Sequence, residues 1–350
     1  MKRNIKSMLP SELEDYFESA GQQKYRAKQV FSALHKGILS FDEITNLPVT
    51  LREKLAGEFY ISSLKLMEKQ ISKDNITAKY LWQLEDNETA ECVLLKYNHG
   101  TSLCISTQVG CKMGCIFCAS SLDGFKRNLT APEILDQILF TQMDLTPQVQ
   151  GGQRIKNIVI MGIGEPLDNF DNLMRFIQLI NCKNGLNIGA RHITVSTSGI
   201  IENIDKLAEY DVQLTLAISL HAPDDDTRSY LMPSNTNTGV TALIKAGKRY
   251  FQKTGRRVTY EYAIIDGVND SPAQAEILSK LIFNSSSHLN IILLNDIKES
   301  KLVPGSAGKV NKFTGILKKN GVNYTIRRSL GTDIDAACGQ LRRRRLQKQE

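Results

Sequence analysis

Residues 104–118 read CISTQVGCKMGCIFC and contain four of the seven cysteines of this 350-residue chain. Cys111, Cys115 and Cys118 follow the spacing C-x₃-C-x₂-C, whereas Cys104 precedes them outside that spacing. Three thiolates leave a structural zinc site incomplete, because zinc takes four ligands in that role. They can instead bind three irons of a [4Fe-4S] cluster and leave the fourth iron open to a cofactor. A zinc knuckle that uses Cys104 as its fourth ligand is the alternative.

Composition and charge narrow the class of protein further. The sequence contains no run of eighteen apolar residues, and its N-terminus, MKRNIKSMLP, lacks the apolar stretch of a signal peptide. Clustered rather than dispersed cysteines are typical of a reducing compartment, so we expect a cytoplasmic protein without a membrane segment. The net charge of +7 favours an anionic partner such as RNA. The run Arg342–Arg345 is interpreted as a solvated tail, with phosphate contacts as the alternative.

From about residue 100, short β-branched runs alternate with segments of helical periodicity, such as 131–143 and 170–180. This alternation predicts βαβ units and a parallel sheet. Six or seven such units favour an α/β fold with a complete or partial (β/α) barrel, and we predict a partial (β/α)6 TIM-type barrel. The predicted strands lie at 102–107, 155–161, 192–197, 212–220, 256–265, 289–294 and 322–328.

The chain before this region has a different pattern. The stretches ELEDYFESAG and YRAKQVFSALHKG carry apolar residues at helical spacing, and each ends at a glycine. We therefore predict a small helical accessory domain over residues 1–60 and a strand-rich linking segment over 61–96. The barrel core is expected over 97–338, with a basic tail over 339–350.

A parallel barrel presents its active site at the carboxyl ends of its strands, so the residues that follow each strand matter most. Polar, glycine and thiol residues follow six of the seven predicted strands. They are Gln108–Cys111, Gly162–Pro166, Ser196–Gly199, Ser219–His221, Asn295 and, beyond the last strand, Cys338. The sequence predicts one site on this rim.

The three-cysteine motif, with Phe117 before its third cysteine, resembles that of the radical S-adenosylmethionine (SAM) superfamily. Within it, the chain resembles the RlmN/Cfr family of RNA adenosine methyltransferases, from the YRAKQVFSALHKG region to the C-terminal tail. The segments that carry this resemblance are CISTQVGC, MGIGEPLDN, STSG, SLHAP and DIDAACGQL.

The resemblance implies a [4Fe-4S] cluster bound by Cys111, Cys115 and Cys118, with an open iron that takes the amino and carboxylate groups of SAM. Two SAM molecules serve each turnover, one as methyl donor and one as radical source. The residues implied to contact SAM are Gly164, Glu165, Ser196, Ser219, Leu220, His221 and Asn295.

The resemblance also implies roles for three further residues. Cys338 would be methylated to S-methylcysteine, and its methyl carbon, as a radical, would add to the adenine. Cys104 would then attack the Cys338 sulfur, which releases the product and leaves a transient Cys104–Cys338 disulfide. Glu91 matches the position of the proton acceptor in the family.

The implied substrates are 23S rRNA at the peptidyl-transferase centre and the adenosine 3′ of the tRNA anticodon. The GEPL segment and the RRSLGTDIDAACGQLR ending favour methylation at C2 over the Cfr-like C8 reaction. We expect a monomer that receives electrons from a flavodoxin or ferredoxin. Phosphates would meet basic residues such as Arg26, Lys28, Lys126 and Arg127. The alternatives are a radical SAM enzyme acting on protein or a small molecule, and a non-catalytic Fe–S or Zn RNA-binding protein.

Overall fold

The computed structural model describes residues 2–98, 100–145, 154–283, 285–295, 301–328 and 330–334. The N-terminal part is helical, and its two ends are joined by a parallel pair of short strands, β1 and β2. No helix among the described residues is long and apolar enough to cross a membrane. The elements of this part are β1 (Arg3–Asn4), α1 (Pro10–Ser19), α2 (Tyr25–Leu34), α3 (Val49–Glu58) and β2 (Phe59–Tyr60).

An antiparallel meander follows and forms one side of the main sheet. It consists of β3 (Lys65–Ile71), β4 (Thr77–Gln83), β5 (Thr89–Tyr97) and β6 (Gly100–Cys104). Segment 61–96, predicted to link two domains, thus contributes strands to the main sheet itself. A separate two-stranded ribbon of β7 (Gln108–Gly110) and β8 (Phe125–Asn128) encloses residues 111–118, which contain Cys111, Cys115 and Cys118 and are called the cysteine loop below.

The remaining strands pair in parallel with β6 and with one another, and helices connect them. These strands are β9 (Ile155–Ile160), β10 (Ile193–Thr197), β11 (Thr215–Ser219), β12 (Thr259–Ile264), β13 (His288–Leu293) and β14 (Tyr324–Ile326). The full order of the ten-stranded sheet is β14-β13-β12-β11-β10-β9-β6-β5-β4-β3. Within the described residues, β14 and β3 end the sheet without pairing to each other, so the barrel is partial, as predicted. The helices are α4 (Ala131–Leu145), α5 (Phe170–Asn181), α6 (Ile201–Glu209), α7 (Asp225–Leu231), α8 (Val240–Thr254), α9 (Pro272–Ile282) and α10 (Ala307–Lys319).

Strand β12 illustrates how the sheet separates core from site. Tyr260 and Tyr262 are buried in the core, where the Tyr262 ring packs 5.3 Å from that of Phe313 on α10. Because side chains alternate across a strand, Glu261 and Ala263 point to the opposite face, where they line a cavity. The same alternation therefore builds the core and the site.

A buried polar cluster attaches the N-terminal part to α4. Lys6 Nζ lies 2.6 Å from Asp136 Oδ1 and donates to the Ser62 carbonyl at 2.8 Å. Ser62 Oγ donates to the second Asp136 oxygen at 2.5 Å. Both charged side chains are almost fully buried, so each charge is compensated by the other and not by water.

Candidate active site

A cavity of about 460 Å³ opens at the carboxyl ends of the parallel strands, where the sequence predicted a site. The inward face of β5 closes one side of it through Val93, Leu95 and Tyr97. The predicted residues that line it are Cys104, Cys111, Cys115, Cys118, Gly164, Glu165, Ser196, Ser219, His221 and Asn295. Residues as far apart in the sequence as Cys104 and Asn295 thus line one cavity.

The cysteine loop is held in place by its backbone. The Cys118 N–H donates to the Cys115 carbonyl at 3.1 Å, and Ser121 Oγ donates to both of these carbonyls. The Ile116 N–H donates to the Leu231 carbonyl at the end of α7. These bonds fix the loop before any ligand arrives.

The thiols are set in an apolar environment. Burial raises the pKa of Cys111 to about 11 and raises the pKa of Cys115 still further. Without a bound cation, these thiols therefore keep their protons at neutral pH. Metal binding removes these protons, since the thiolate is the ligand.

The donor set fits an iron–sulfur cluster. Within the described part of the chain, no group of three or more His, Cys, Asp or Glu side chains is arranged to hold a single metal ion. A cluster takes one thiolate at each of several irons, so its ligands need not converge on one point. Cys111, Cys115 and Cys118 have the residue type, the spacing and the shared cavity that this requires.

His221 is part of the cavity wall and has an unusual backbone, with φ at +55°. Its Nδ1 accepts a hydrogen bond from the Ala263 N–H at 3.0 Å, which places the ring proton on Nε2. Burial lowers the pKa of His221 to about 3. The imidazole is therefore neutral at physiological pH and presents a donor.

The glycines after β9 allow its following loop to approach β7 closely. Gly164 has φ at +106°, and a Cβ on it would lie 2.5 Å from Cβ of Gln108. The next residue, Glu165, accepts hydrogen bonds from the backbone N–H groups of Leu167 and Ser198, at 3.0 and 2.6 Å. Its carboxylate therefore connects the segments that follow β9 and β10 through hydrogen bonds.

Three predicted site residues are placed differently or are not described. Leu220 is fully buried in the core, does not line the cavity, and donates its N–H to the Glu261 carbonyl. Glu91 is buried on β5, its carbonyl accepts from Ser106 Oγ at 2.7 Å, and it is not among the residues that line the cavity. Cys338 lies outside the described residues.

Sequence reasoning missed Arg228, which is buried on α7 beneath the cavity. Its guanidinium donates to the carbonyls of Ser198 and Ser219, at 2.5 and 2.9 Å, and to Asn235 Oδ1 at 2.6 Å. Burial lowers the pKa of Arg228 to about 10. It ties together the ends of β10 and β11. In the segment DDDTRSYL it has the pattern of an exposed helical charge, so no local signal distinguishes it.

Sequence reasoning also missed Glu261, a buried carboxylate that faces the cavity from β12. It is the one charged residue within the strand-like run VTYEYAII. A charge at an inward position of a buried strand is uncommon unless it is paired or functional, and this pattern was the available signal.

Comparison with known proteins agrees with this fold. The radical SAM superfamily model matches residues 105–277, and the ribosomal RNA large subunit methyltransferase N-terminal domain matches residues 3–61. The crystal structure of a radical SAM methyltransferase from Sphaerobacter thermophilus superimposes with a TM-score of 0.91 at 40% identity. That comparison covers 97% of this chain and 98% of the other. A partial barrel with this three-thiol loop thus has the architecture of a radical SAM methyltransferase.

Full-length relatives narrow the class to one family. A probable dual-specificity RNA methyltransferase RlmN from Alkaliphilus oremlandii is 47% identical over 99% of both chains. One from Staphylococcus carnosus is 48% identical over 97% of this chain and 93% of its own length. The chain belongs to the RlmN family of radical SAM RNA methyltransferases. Membership implies an RNA substrate, a [4Fe-4S] cluster and SAM.

Proposed function

We propose that this enzyme methylates C2 of adenosine in 23S rRNA and in tRNA, through a methylated cysteine and a transient disulfide. One observation carries the proposal: Cys104 lines the same cavity as the three thiols of the cysteine loop. A cysteine that only packed in the core would have no reason to face this space. The curated relatives, named as dual-specificity RNA methyltransferases, support the choice of two RNA substrates.

In this proposal, Cys111, Cys115 and Cys118 hold the cluster. When bound, the cluster and SAM supply the methyl group and the radical chemistry that an unreactive adenine C–H bond requires. The chain's own residues bind SAM and exclude water. Ser196, Ser219, Asn295 and the Gly164–Glu165 turn line the cavity in which it would sit, and His221 offers its Nε2–H as a donor.

Product release is assigned to two cysteines and one carboxylate. Cys338 would carry the methyl group, which would lose one hydrogen atom to the radical that SAM supplies before its carbon bonds to adenine C2. The unpaired electron left on the adduct would return to the cluster as C2 loses its proton. Glu91, which is buried on the same face of β5 as Val93 and Leu95, takes the proton from C2. Cys104 thiolate then attacks the Cys338 sulfur. The new S–S bond replaces the S–C bond, and the carbon takes up a proton to become the product methyl group.

RNA delivers its adenine to the cavity mouth, where Arg327 and Arg328 are lining residues. Chemistry on a base requires the nucleotide to leave its stack, and cations at the mouth suit the adjoining phosphates. Arg127 is a weaker candidate than the sequence indicated, since it pairs with Asp86 and with Glu133, at 2.7 and 2.8 Å. We further propose a monomer that works in the cytoplasm with a flavodoxin or ferredoxin as electron donor.

The Cys104→Ala variant tests this reaction sequence. Anaerobically reconstituted enzyme, given SAM, a reductant and an rRNA fragment, should accumulate a covalent protein–RNA adduct that is visible on a denaturing gel. The matched control is Cys182→Ala, because that half-buried thiol donates to the Gln178 carbonyl and does not line the cavity. The control should turn over without accumulating adduct.

Three results would contradict parts of the proposal. An intact cluster that forms 5′-deoxyadenosine but no adduct would favour a protein or small-molecule substrate. Methyl transfer to C8, located by mass spectrometry of digested RNA, would indicate the Cfr-like reaction. No 5′-deoxyadenosine at all would support a non-catalytic Fe–S or Zn RNA-binding protein.

A further inference from the structure

The carboxylate of Glu261 is only half satisfied. Its Oε1 accepts a hydrogen bond from Asn290 Nδ2 at 3.0 Å. Its Oε2 is buried and has no hydrogen-bond donor among the described residues. The residue is 3% exposed and lines the cavity, so this oxygen lacks both a protein donor and bulk water. A buried acceptor of this kind is costly unless a ligand supplies the donor.

The other buried carboxylate of the cavity wall differs in this respect. Glu165 uses one oxygen for the Leu167 N–H and the other for the Ser198 N–H. Those bonds hold the loop and give each Glu165 oxygen a protein donor. Glu261 differs because one of its oxygens has no donor among the described residues.

Arg327 does not fill this role. Its Nη1 lies 3.8 Å from Glu261 Oε2, which is too long for a hydrogen bond, and its side chain is 38% exposed. The guanidinium balances the charge of Glu261 from the cavity mouth. Oε2 is thus left without a hydrogen-bond donor among the described residues.

We propose that Glu261 binds the ribose of SAM, with Oε2 accepting hydrogen bonds from its vicinal hydroxyls. The inference rests on the proposed use of this cavity by SAM. Each of the two hydroxyls carries a donor hydrogen, and a carboxylate can accept from both, as acidic residues do from ribose in other nucleotide sites. The adenine edge is a poorer match, because its N1 acceptor lies beside the amino group and would face a carboxylate oxygen.

Register places Glu261 among residues that would contact the same sugar. Glu261 pairs with Ser219 on β11 and with Asn290 on β13, so three polar side chains from adjacent strands lie at one level. Ser219 lines the cavity beside it. The amide of Asn290 donates to Oε1, so that Oε2 is the carboxylate oxygen left to accept from a ligand.

The test is a thermodynamic cycle between residue and ligand. Reconstituted full-length wild type and E261Q are compared for binding of SAM and of its 2′-deoxy and 3′-deoxy analogues by equilibrium dialysis. We expect E261Q to weaken SAM binding about tenfold or more, since a charge-assisted hydrogen bond is lost. Removal of a hydroxyl should weaken binding to wild type to a similar degree and change binding to E261Q little.

Two further variants guard against a structural explanation. E261D keeps the charge but withdraws the oxygens by one methylene. The coupling is the loss of affinity that hydroxyl removal causes in wild type minus the loss that it causes in a variant. Hydroxyl removal should weaken binding to E261D less than binding to wild type, as in E261Q. R327Q removes the ion-pair partner and should give a coupling near zero, because Glu261 remains to accept from the hydroxyls. Circular dichroism and thermal unfolding establish that each variant is folded.

The outcomes separate this inference from the proposed function. If wild type does not bind SAM, the proposed function itself fails. If wild type binds SAM but hydroxyl removal weakens wild type and E261Q equally, Glu261 does not bind the ribose. An equal coupling in R327Q and E261Q would show that Glu261 acts by holding Arg327, which also overturns the proposal.

Discussion

The ring of Phe117 meets that of His221 at an angle of 62°, with centroids 4.7 Å apart. The aromatic residue of the cysteine loop therefore packs on the one histidine that the sequence placed in the SAM site. This contact links the loop to β12, because Nδ1 of His221 accepts from the Ala263 N–H. The cysteine loop and the opposite wall of the cavity are thus mechanically joined.

We expect His221→Phe to lower the free energy of unfolding by about 1–3 kcal/mol, because it leaves the buried Ala263 N–H without an acceptor. His221→Asn should lose less. Its Oδ1 replaces Nδ1 as an acceptor, and asparagine tolerates the positive φ. Urea denaturation followed by circular dichroism measures both. A phenylalanine variant as stable as the asparagine variant would show that the hydrogen bond contributes little.

Gly164→Ala should lower both stability and SAM affinity. The new Cβ would lie 2.5 Å from Cβ of Gln108 at a φ of +106°, and overpacking with backbone strain costs about 2–5 kcal/mol in sum. Gly189→Ala is the control, because φ there is −65° and the nearest atom is 3.9 Å away. Thermal unfolding and SAM dialysis should leave the control unchanged. Equal behaviour of the two variants would contradict the steric argument.

Arg228→Lys should lower the free energy of unfolding by about 2 kcal/mol or more. Lysine keeps the charge but cannot reproduce the forked donors that reach the carbonyls of Ser198 and Ser219. Arg249→Lys, at an exposed pair with Asp205, should change it by less than about 0.5 kcal/mol. Urea midpoints measure the difference, and near-identical midpoints would disprove a structural role for the buried guanidinium.

The buried pair of Lys6 and Asp136 gives a prediction for the N-terminal part. Lys6→Met alone should cost about 3–5 kcal/mol, because Asp136 is left as an uncompensated buried charge. The double variant Lys6→Met with Asp136→Leu should recover most of this loss. Double-mutant analysis of urea unfolding tests it. If the double variant is no more stable than the single one, the pair is not the source of the loss.

The pH dependence of stability should reveal His35. Burial and nearby Lys6 lower the pKa of His35 to about 4, and its Nδ1 accepts from the Leu186 N–H. In the unfolded chain His35 binds a proton below about pH 6.5, whereas in the folded chain it stays neutral down to about pH 4. The contribution of neutral His35 to the free energy of unfolding is therefore complete above pH 6.5. It is lost as the pH falls toward 4, by about 1.4 kcal/mol per unit.

His35→Asn keeps an acceptor but does not titrate in this range. The free energy of unfolding of wild type minus that of this variant should therefore fall from pH 7 to pH 4.5. Urea unfolding at several pH values gives the difference directly, and it cancels the parallel contribution of His221. A difference that stays constant with pH would show that His35 is protonated equally in both states.

Much of this protein follows from local sequence alone. Strands and helices of the barrel were predicted near their observed positions, because period-2 and helical apolar patterns reflect which face of each element is buried. The cysteine loop was predicted from spacing, since ligands only a few residues apart remain neighbours in any fold. Gly164 was expected from its place after a predicted strand and from the family resemblance, and the structure gives it a φ of +106°.

Tertiary structure decided what local patterns do not contain. That the meander β3–β5 joins the main sheet, and that Cys104 lines the same cavity as the cysteine loop, depends on which strands become neighbours. The burial of Leu220 and the roles of Arg228 and Glu261 depend on register between strands distant in sequence. An arginine on a helix and a glutamate on a strand have the same local pattern whether they face solvent or a cavity. Packing determines which of these environments each side chain occupies, and with it the chemistry that the side chain can perform.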